Sequence, residues 1–487
     1  MTKISFAKDP DALVKSSDTV LVVAASSVFQ SKKLPKVFEP EVQALLARLG
    51  KKVEPGDRGA VGSTLTLAKP ETLKIGVLPG SGSRHNSPMR ADAIWNVVAS
   101  SGIAKAKRGG IVLVVENADH ALAACNAIAR GTPLYSRKKK PTDGALRICV
   151  IDKRGKPVRI GNDVKETVNT SRAIAAMVDT PPTDLNPEEY AKQAKALLRG
   201  IPNVTVREIR GDALLTEKLA GVHAVGRTAV KAPRVLIAKY TPRGVTKGRH
   251  VCLVGKGITY DTGGLNIKIS GAMSTMKGDM GGSAAVLGAF RILAATRAVK
   301  HPLSLVMCMA ENAIGPDSYK PDDILTMHSG LTVEINNTDA EGRLLLADGV
   351  SYAARKLKAD TIIDAATLTG AQLIATGTMH AAVFSNDEKL ESLAVTSGRR
   401  SGDLCHPLPF APEFYKAEFA SPVADMRNSV KNRMNAQSSC AAQFVYWHIE
   451  DTDARWCHID LAGPAFPSSR ATGFGAALIA EMVRGLS

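Results

Sequence analysis

The chain has 487 residues, 45% of them hydrophobic and 22% charged, which excludes a disordered protein and implies two or three domains at roughly 100–200 residues each. No apolar run approaches the roughly 18 residues a membrane helix needs, and Met1-Thr2-Lys3-Ile4-Ser5 leads into no signal-peptide core. The net charge of +17 is uneven: residues 1–165 hold 28 Lys/Arg against 14 Asp/Glu, a surplus of +14, while 166–487 hold 35 against 32, only +3.

Residues 1–165 have the pattern of an α/β domain. Val20–Ala24, Lys74–Leu78, Gly110–Val115 and Arg147–Ile151 are apolar enough for buried strands, and Pro40–Leu49 and Ala118–Ala129 have helical spacing. The basic surplus of this part suits a polyanion- or nucleic-acid-binding half, and it equally suits a plain solvated surface. Arg137-Lys138-Lys139-Lys140-Pro141 is its strongest charge run, readable as a nucleic-acid contact or nuclear address and more simply as a solvated loop. Seven cysteines with no CxxC spacing point to reduced thiols and a cytoplasmic protein.

A helix is expected over about 162–178, ended by Thr180-Pro181-Pro182, with the domain boundary near 165 and the second domain at 166–487. Asn186-Pro187-Glu188-Glu189 opens the next helix, proline taking its tolerated first position. Beyond it, apolar runs alternate with helices: Arg234–Tyr240, His250–Val254, Leu303–Met309, Leu331–Ile335, Thr361–Ile363 and Trp456–Leu461. Most are continuous, which predicts strands buried on both faces of a mixed or parallel sheet flanked by helices. Ligands in such sheets sit beyond the carboxyl ends of the strands, so the polar residues following these runs (Lys256, Asp339, Asp364) are expected to converge.

Two stretches carry the chemistry. Val254-Gly255-Lys256-Gly257 is expected to leave its strand through a glycine-rich turn toward Asp261 and Lys268, and Asp279 stands ahead of a long helix reaching about Val299. Asn336-Asn337-Thr338-Asp339-Ala340-Glu341-Gly342-Arg343 places two acids and a guanidinium at a strand–helix junction, where the Asn and Asp also suit a helix cap. Acids two apart on an extended segment share a face and repel unless a cation lies between them. No GxSxG, Walker A or HExxH motif occurs, and the third glycine of a dinucleotide fingerprint is missing after Gly255 and Gly257. Three Asp, one Glu and three cations therefore suit a two-metal hydrolytic site, best fitted by Mn²⁺ or Mg²⁺ with Zn²⁺ allowed. On chemistry alone, peptide and phosphoester hydrolysis stay equally open.

Asn337-Thr338-Asp339-Ala340-Glu341-Gly342-Arg343-Leu344 matches without mismatch the signature of the leucyl (cytosol) aminopeptidase family of dinuclear metallo-exopeptidases. The Lys256…Asp261…Lys268…Asp279 series, Asp364–Ala371 and Ala471–Gly475 resemble the same family, so the likeness spans roughly 166–487. Ile269, Gly278 and Thr262 depart from the commoner pattern and, with Gly402–Pro407, look more like the divergent probable-aminopeptidase-like branch.

The resemblance implies a macrodomain-like N-terminal domain and a C-terminal metallo-exopeptidase domain. It implies an aminopeptidase that releases N-terminal, preferentially apolar, Leu-like residues by a hydroxide activated between two metals. Asp261 and Glu341 would bridge the metals, Asp339 would complete one site, and Lys256 and Asp279 the other. Lys268 would steady the oxyanion, and Arg343 would grip a bicarbonate ion that shuttles protons. Met276, Thr367, Leu368 and Ala462 match positions lining the first-residue pocket. The resemblance further implies peptide substrates, a homohexamer and, for some members, DNA binding. Cys405-His406 and Cys457-His458 lack the partner spacing of a zinc site and are expected to pack.

Overall fold

The computed structural model describes residues 2–30, 34–139, 143–245 and 249–486. It divides into two units, Met1–Ala173 with Gly398–Leu404, and Ile174–Ser397 with Cys405–Ser487. The division falls within the helix Asn162–Asp179, which runs unbroken through the expected boundary near 165 and stops ahead of Pro181 and Pro182.

Among the described residues, the first unit holds strands β1 (Lys3–Phe6), β2 (Thr19–Ala25), β3 (Ala60–Leu65), β4 (Thr72–Leu78), β5 (Arg108–Val115) and β6 (Ala145–Asp152). They form one sheet in the order β1-β6-β5-β2-β4-β3, parallel except for β3. Alternate residues of β2 enter opposite cores: Val20, Val22 and Ala24 on one side, Leu21 and Val23 on the other. Such two-faced burial is what a continuous apolar run produces. The return segment belongs to this unit through Asp403, which is fully buried, accepts from the Asn126 amide at 2.9 Å and pairs with Arg130. Arg137, Lys138 and Lys139 lie in an exposed loop, while Lys140 and Pro141 of the charge run lie outside the described residues.

The second unit holds β7 (Val204–Arg210), β8 (Arg234–Tyr240), β9 (Val251–Asp261), β10 (Leu303–Asn312), β11 (Ile324–Thr326), β12 (Thr332–Glu334), β13 (Thr361–Ala366), β14 (Ala381–Ser385), β15 (Cys405–Pro407), β16 (Met426–Arg427) and β17 (Arg455–Asp460). Its main sheet runs β15-β14-β17-β13-β9-β10-β8-β7. The central four, β17, β13, β9 and β10, are mutually parallel, so their carboxyl ends open on one side. Val251 and Leu253 pack with the helix Gly281–Thr296 on one face, and Cys252, Val254 and Ile258 with Gly342–Arg355 on the other. A small second sheet, β11-β12-β16, holds the approach to the 336–341 junction.

One expectation is corrected. Gly255-Lys256-Gly257 is no turn: β9 continues to Asp261, hydrogen-bonded to β10 from Val251 onward. The two glycines serve close packing instead. A Cβ on Gly255 would come within 2.4 Å of the Ser283 backbone, so only a bare strand lets the Gly281–Thr296 helix lie this near.

Candidate active site

Strand β9 delivers Lys256 from its middle and Asp261 from its end. The chain then turns through Gly263 and Gly264, both at positive φ, and returns Lys268, whose N–H donates to the Thr262 carbonyl at 2.9 Å. Asp279 precedes the Gly281–Thr296 helix, and Asp339 and Glu341 precede Gly342–Arg355.

The polar residues of the signature act as a buckle between these segments. The Thr338 hydroxyl donates to the Gly263 carbonyl at 2.7 Å, and the Thr338 N–H donates to the Asn266 side chain at 2.7 Å. Asn312, at the end of β10, donates one amide to Asp261 Oδ1 at 2.8 Å and to the Thr338 carbonyl at 3.1 Å. Asn428 holds the Asn336 and Asn337 backbone from the other side. The capping reading of the acids is not what the structure contains. Glu341 occupies the cap position of its helix in helical geometry and makes no side-chain cap bond, which leaves its carboxylate facing inward.

Lys256 Nζ lies 2.7 Å from Asp279 Oδ1, 3.0 Å from Glu341 Oε1 and 2.9 Å from the Thr367 carbonyl. Lys268 Nζ lies 2.8 Å from Asp261 Oδ2 and 2.5 Å from Asp339 Oδ1. Each lysine thus spans a pair of acids. Gly342 permits the first arrangement, because a Cβ there would stand 2.5 Å from Lys256 Cε and 2.7 Å from its Nζ.

Burial, then repulsion from Asp261, pushes Glu341 up to about 8 despite Lys256. Burial likewise pushes Asp279 up to about 6, with the Lys256 ammonium opposing it. Burial and Asp261 also raise Asp339. Burial alone would lower Lys256, but the fields of Asp279, Glu341 and Asp261 outweigh it and hold the ammonium above its ordinary range. Lys268 is raised in the same way, chiefly by Asp261 against its own burial. Carboxylates held this close and this deeply buried call for positive charge.

All eleven residues singled out for roles in the sequence line one cavity of about 510 Å³: Lys256, Asp261, Lys268, Met276, Asp279, Asp339, Glu341, Arg343, Thr367, Leu368 and Ala462. Asp364 does not join them. It is fully buried beneath the sheet's end, accepting from Trp456 Nε1 at 2.6 Å and pairing with His458 Nδ1 at 2.5 Å. β13 runs on to Ala366, and Asp364 is in register with Val254, two residues short of Lys256 along β9, so it stays in the core beneath the site. That pairing also settles Cys457-His458 as packing, and Cys405 is likewise buried.

Asp460, at the end of β17, was not singled out by the sequence. It accepts from the Leu368 N–H at 3.0 Å, the Thr369 hydroxyl at 2.7 Å and the Ala462 N–H at 3.3 Å. One carboxylate therefore ties together the two chain segments that form the apolar wall, to which Phe466 adds its ring. The only available signal was its position at a strand's carboxyl end.

The donor set suits divalent cations. Asp261, Asp279 and Glu341 each offer a buried oxygen, all within 4.8 Å of one another. Asp279 Oδ2 is buried with no hydrogen-bond partner, an acceptor lacking the charge its environment demands. All-oxygen carboxylate donors favour hard dications. Arg343 presents the converse: its guanidinium is buried with Nε and Nη1 unpartnered, and burial pulls it down to about 10. Such a guanidinium suits a small anion.

Comparison with known proteins agrees with this architecture. The model of the cytosol aminopeptidase family catalytic domain matches residues 172–480, and that of M17 aminopeptidase N-terminal domain 2 matches 19–141. A mouse protein named "Probable aminopeptidase NPEPL1" is 42% identical over 459 residues, covering 92% of this chain and 85% of that protein. The structure of Caenorhabditis elegans leucine aminopeptidase superposes with a TM-score of 0.89 at 32% identity, covering 99% of this chain and 98% of that one. The leucyl aminopeptidase structure from Trypanosoma cruzi gives 0.89 at 36% identity, over 99% and 97%. With residues 172–480 matched by the catalytic-domain model and relatives similar over most of the length, this chain belongs to the cytosol aminopeptidase (M17) family of peptide hydrolases.

Proposed function

We propose that this aminopeptidase uses two divalent cations, of Mn²⁺, Zn²⁺ or Mg²⁺, to release apolar, Leu-like residues from peptide N-termini. The observation that carries the reading is the convergence of four acids and two lysines, drawn from three separate chain segments, on one cavity wall. Asp261 and Glu341 would bridge the cations, Asp339 would complete one site, and Lys256 with Asp279 the other. When bound, such a pair activates a water molecule and polarises the scissile carbonyl.

The chain's own residues supply the rest. With cations held by these acids, a free, neutral α-amine would find an acceptor for its lone pair there, which would explain release of the first residue and no other. Met276, Leu368, Ala462 and Phe466 give the first side chain an apolar lining. Lys268, held protonated by Asp261 and Asp339, offers a fixed positive charge to the oxyanion that develops on the carbonyl oxygen. Arg343, its guanidinium short of partners within the chain, would hold bicarbonate, placing a proton carrier beside the reacting atoms. Lys256 binds a cation only as a neutral amine, so its proton leaves as a cation is taken up.

Leucyl-anilide should be hydrolysed, the activity should vanish with a chelator and return with Mn²⁺, and N-acetyl-leucyl-anilide should resist. Equal turnover of the acetylated substrate would defeat the reading, since nothing would then select the free amine. The seven cysteines, all buried and none in a disulfide, suit a reducing cytoplasm, and no helix among the described residues is long and apolar enough to cross a membrane. Family membership supports a hexamer, which light scattering on the purified chain tests.

A further inference from the structure

The cavity has a third wall that the proposed mechanism leaves unused. Asn337, Ser429, Arg433 and Gln437 line it, polar residues with no acid among them. Arg433 is exposed at the mouth and makes no hydrogen bond or ion pair with any described residue. The other three cations of the cavity are engaged differently: Lys256 and Lys268 lie against carboxylates, and Arg343 is buried.

The turn that presents Arg433 is staked down. The Glu418 carboxylate accepts from the Asn432 N–H at 3.0 Å and from the Asn435 side-chain amide at 2.8 Å, so it grips both flanks of the arginine. The Glu418 carbonyl accepts from the Lys431 N–H at 3.0 Å, and the Met434 N–H donates to the Asn432 side chain at 3.0 Å. These bonds use Glu418 up on the backbone, fixing the turn and leaving the Arg433 charge unmatched.

The remaining walls have evident occupants under the aminopeptidase reading, on which this inference rests: the acids face the α-amine and the apolar wall faces the first side chain. The rest of the peptide must leave past the third wall. We infer that Arg433 is a specificity-determining residue that grips a carboxylate on the leaving side of the substrate, favouring short peptides with a free C-terminus or an acidic second residue. A guanidinium fork matches a carboxylate in a bidentate way, and an unpaired one at a cavity mouth loses little hydration in doing so.

The test is a ratio of kcat/KM values. For the unaltered chain, Leu-Gly should exceed Leu-Gly-amide by about fivefold or more, mostly through KM, the range of an exposed charged hydrogen bond. Leu-Asp-amide against Leu-Asn-amide separates the second source of the carboxylate from the first. In Arg433→Ala the ratio should fall to near one, in Arg433→Lys it should stay above one, and in Arg433→Glu it should invert, with Leu-Lys-amide gaining. Inversion cannot come from a damaged fold. Ratios that stay the same in all three variants would overturn the inference while leaving the peptidase intact. Failure to hydrolyse any of these peptides, leucyl-anilide included, would instead remove the aminopeptidase reading and this inference with it.

Discussion

Glu341→Ala is expected to abolish leucyl-anilide hydrolysis, by more than roughly a thousandfold in kcat/KM, with loss of bound metal and without loss of fold. The carboxylate is 2% exposed and makes no cap bond, so the helix Gly342–Arg355 does not depend on it. Its proton affinity, pushed up to about 8 by burial and then by Asp261, means that ionising it at neutral pH costs the folded state. The alanine relieves that repulsion. Lys256 loses one partner but keeps Asp279 at 2.7 Å and the Thr367 carbonyl at 2.9 Å. The melting temperature should therefore hold or rise when no metal is supplied, while elemental analysis shows the site unable to retain cations. A variant with full metal content and no activity would shift Glu341 from ligand to some other duty.

Lys268→Ala should give the opposite signature: turnover down by about a hundred- to a thousandfold, with both metals kept. The ammonium sits between Asp261 at 2.8 Å and Asp339 at 2.5 Å, and its side chain is 15% exposed at the cavity wall. Removing it leaves those carboxylates free for cations and takes away only the charge facing the developing oxyanion. The loss should appear in kcat rather than KM, because the interaction strengthens as negative charge forms. Lys268→Arg should rescue poorly, since a planar fork does not occupy an ammonium's place. Depleted metal in Lys268→Ala, measured on protein dialysed against buffer, would contradict its assigned role.

The parts of the fold with two buried faces were legible in the sequence. β8 spans Arg234–Tyr240 as its apolar run suggests, and β2, β4, β5 and β6 each exceed their runs by only a residue or two at the ends. Edge and half-wet strands were not. β1 and β3 in the first unit mix exposed and half-buried residues with none fully buried, and β7 buries only Ile209 fully, so none stands out from a loop by composition. The site was legible where charged residues carried the chemistry, because acids and lysines are conspicuous between apolar runs. Groups that work by positioning were hidden: Asn312, Asp460 and Glu418 have meaning only through partners distant in the chain. Asp364 shows the reverse error, a polar residue taken for a strand end where β13 runs on to Ala366 and leaves it in the core.

The acids and lysines of the cavity sit on three stretches, 256–268, 279 and 339–341, which come together only once β9 lies between its two flanking helices. Whatever ion lodges there recognises the assembled chain and has no equivalent in the unravelled one. Occupancy at a hundredfold excess over the dissociation constant then adds about 2.7 kcal/mol to native-state endurance. Under the two-cation reading, heat tolerance and lifetime of this molecule would be yoked to metal supply, so scarcity would thin its numbers as well as silence its chemistry.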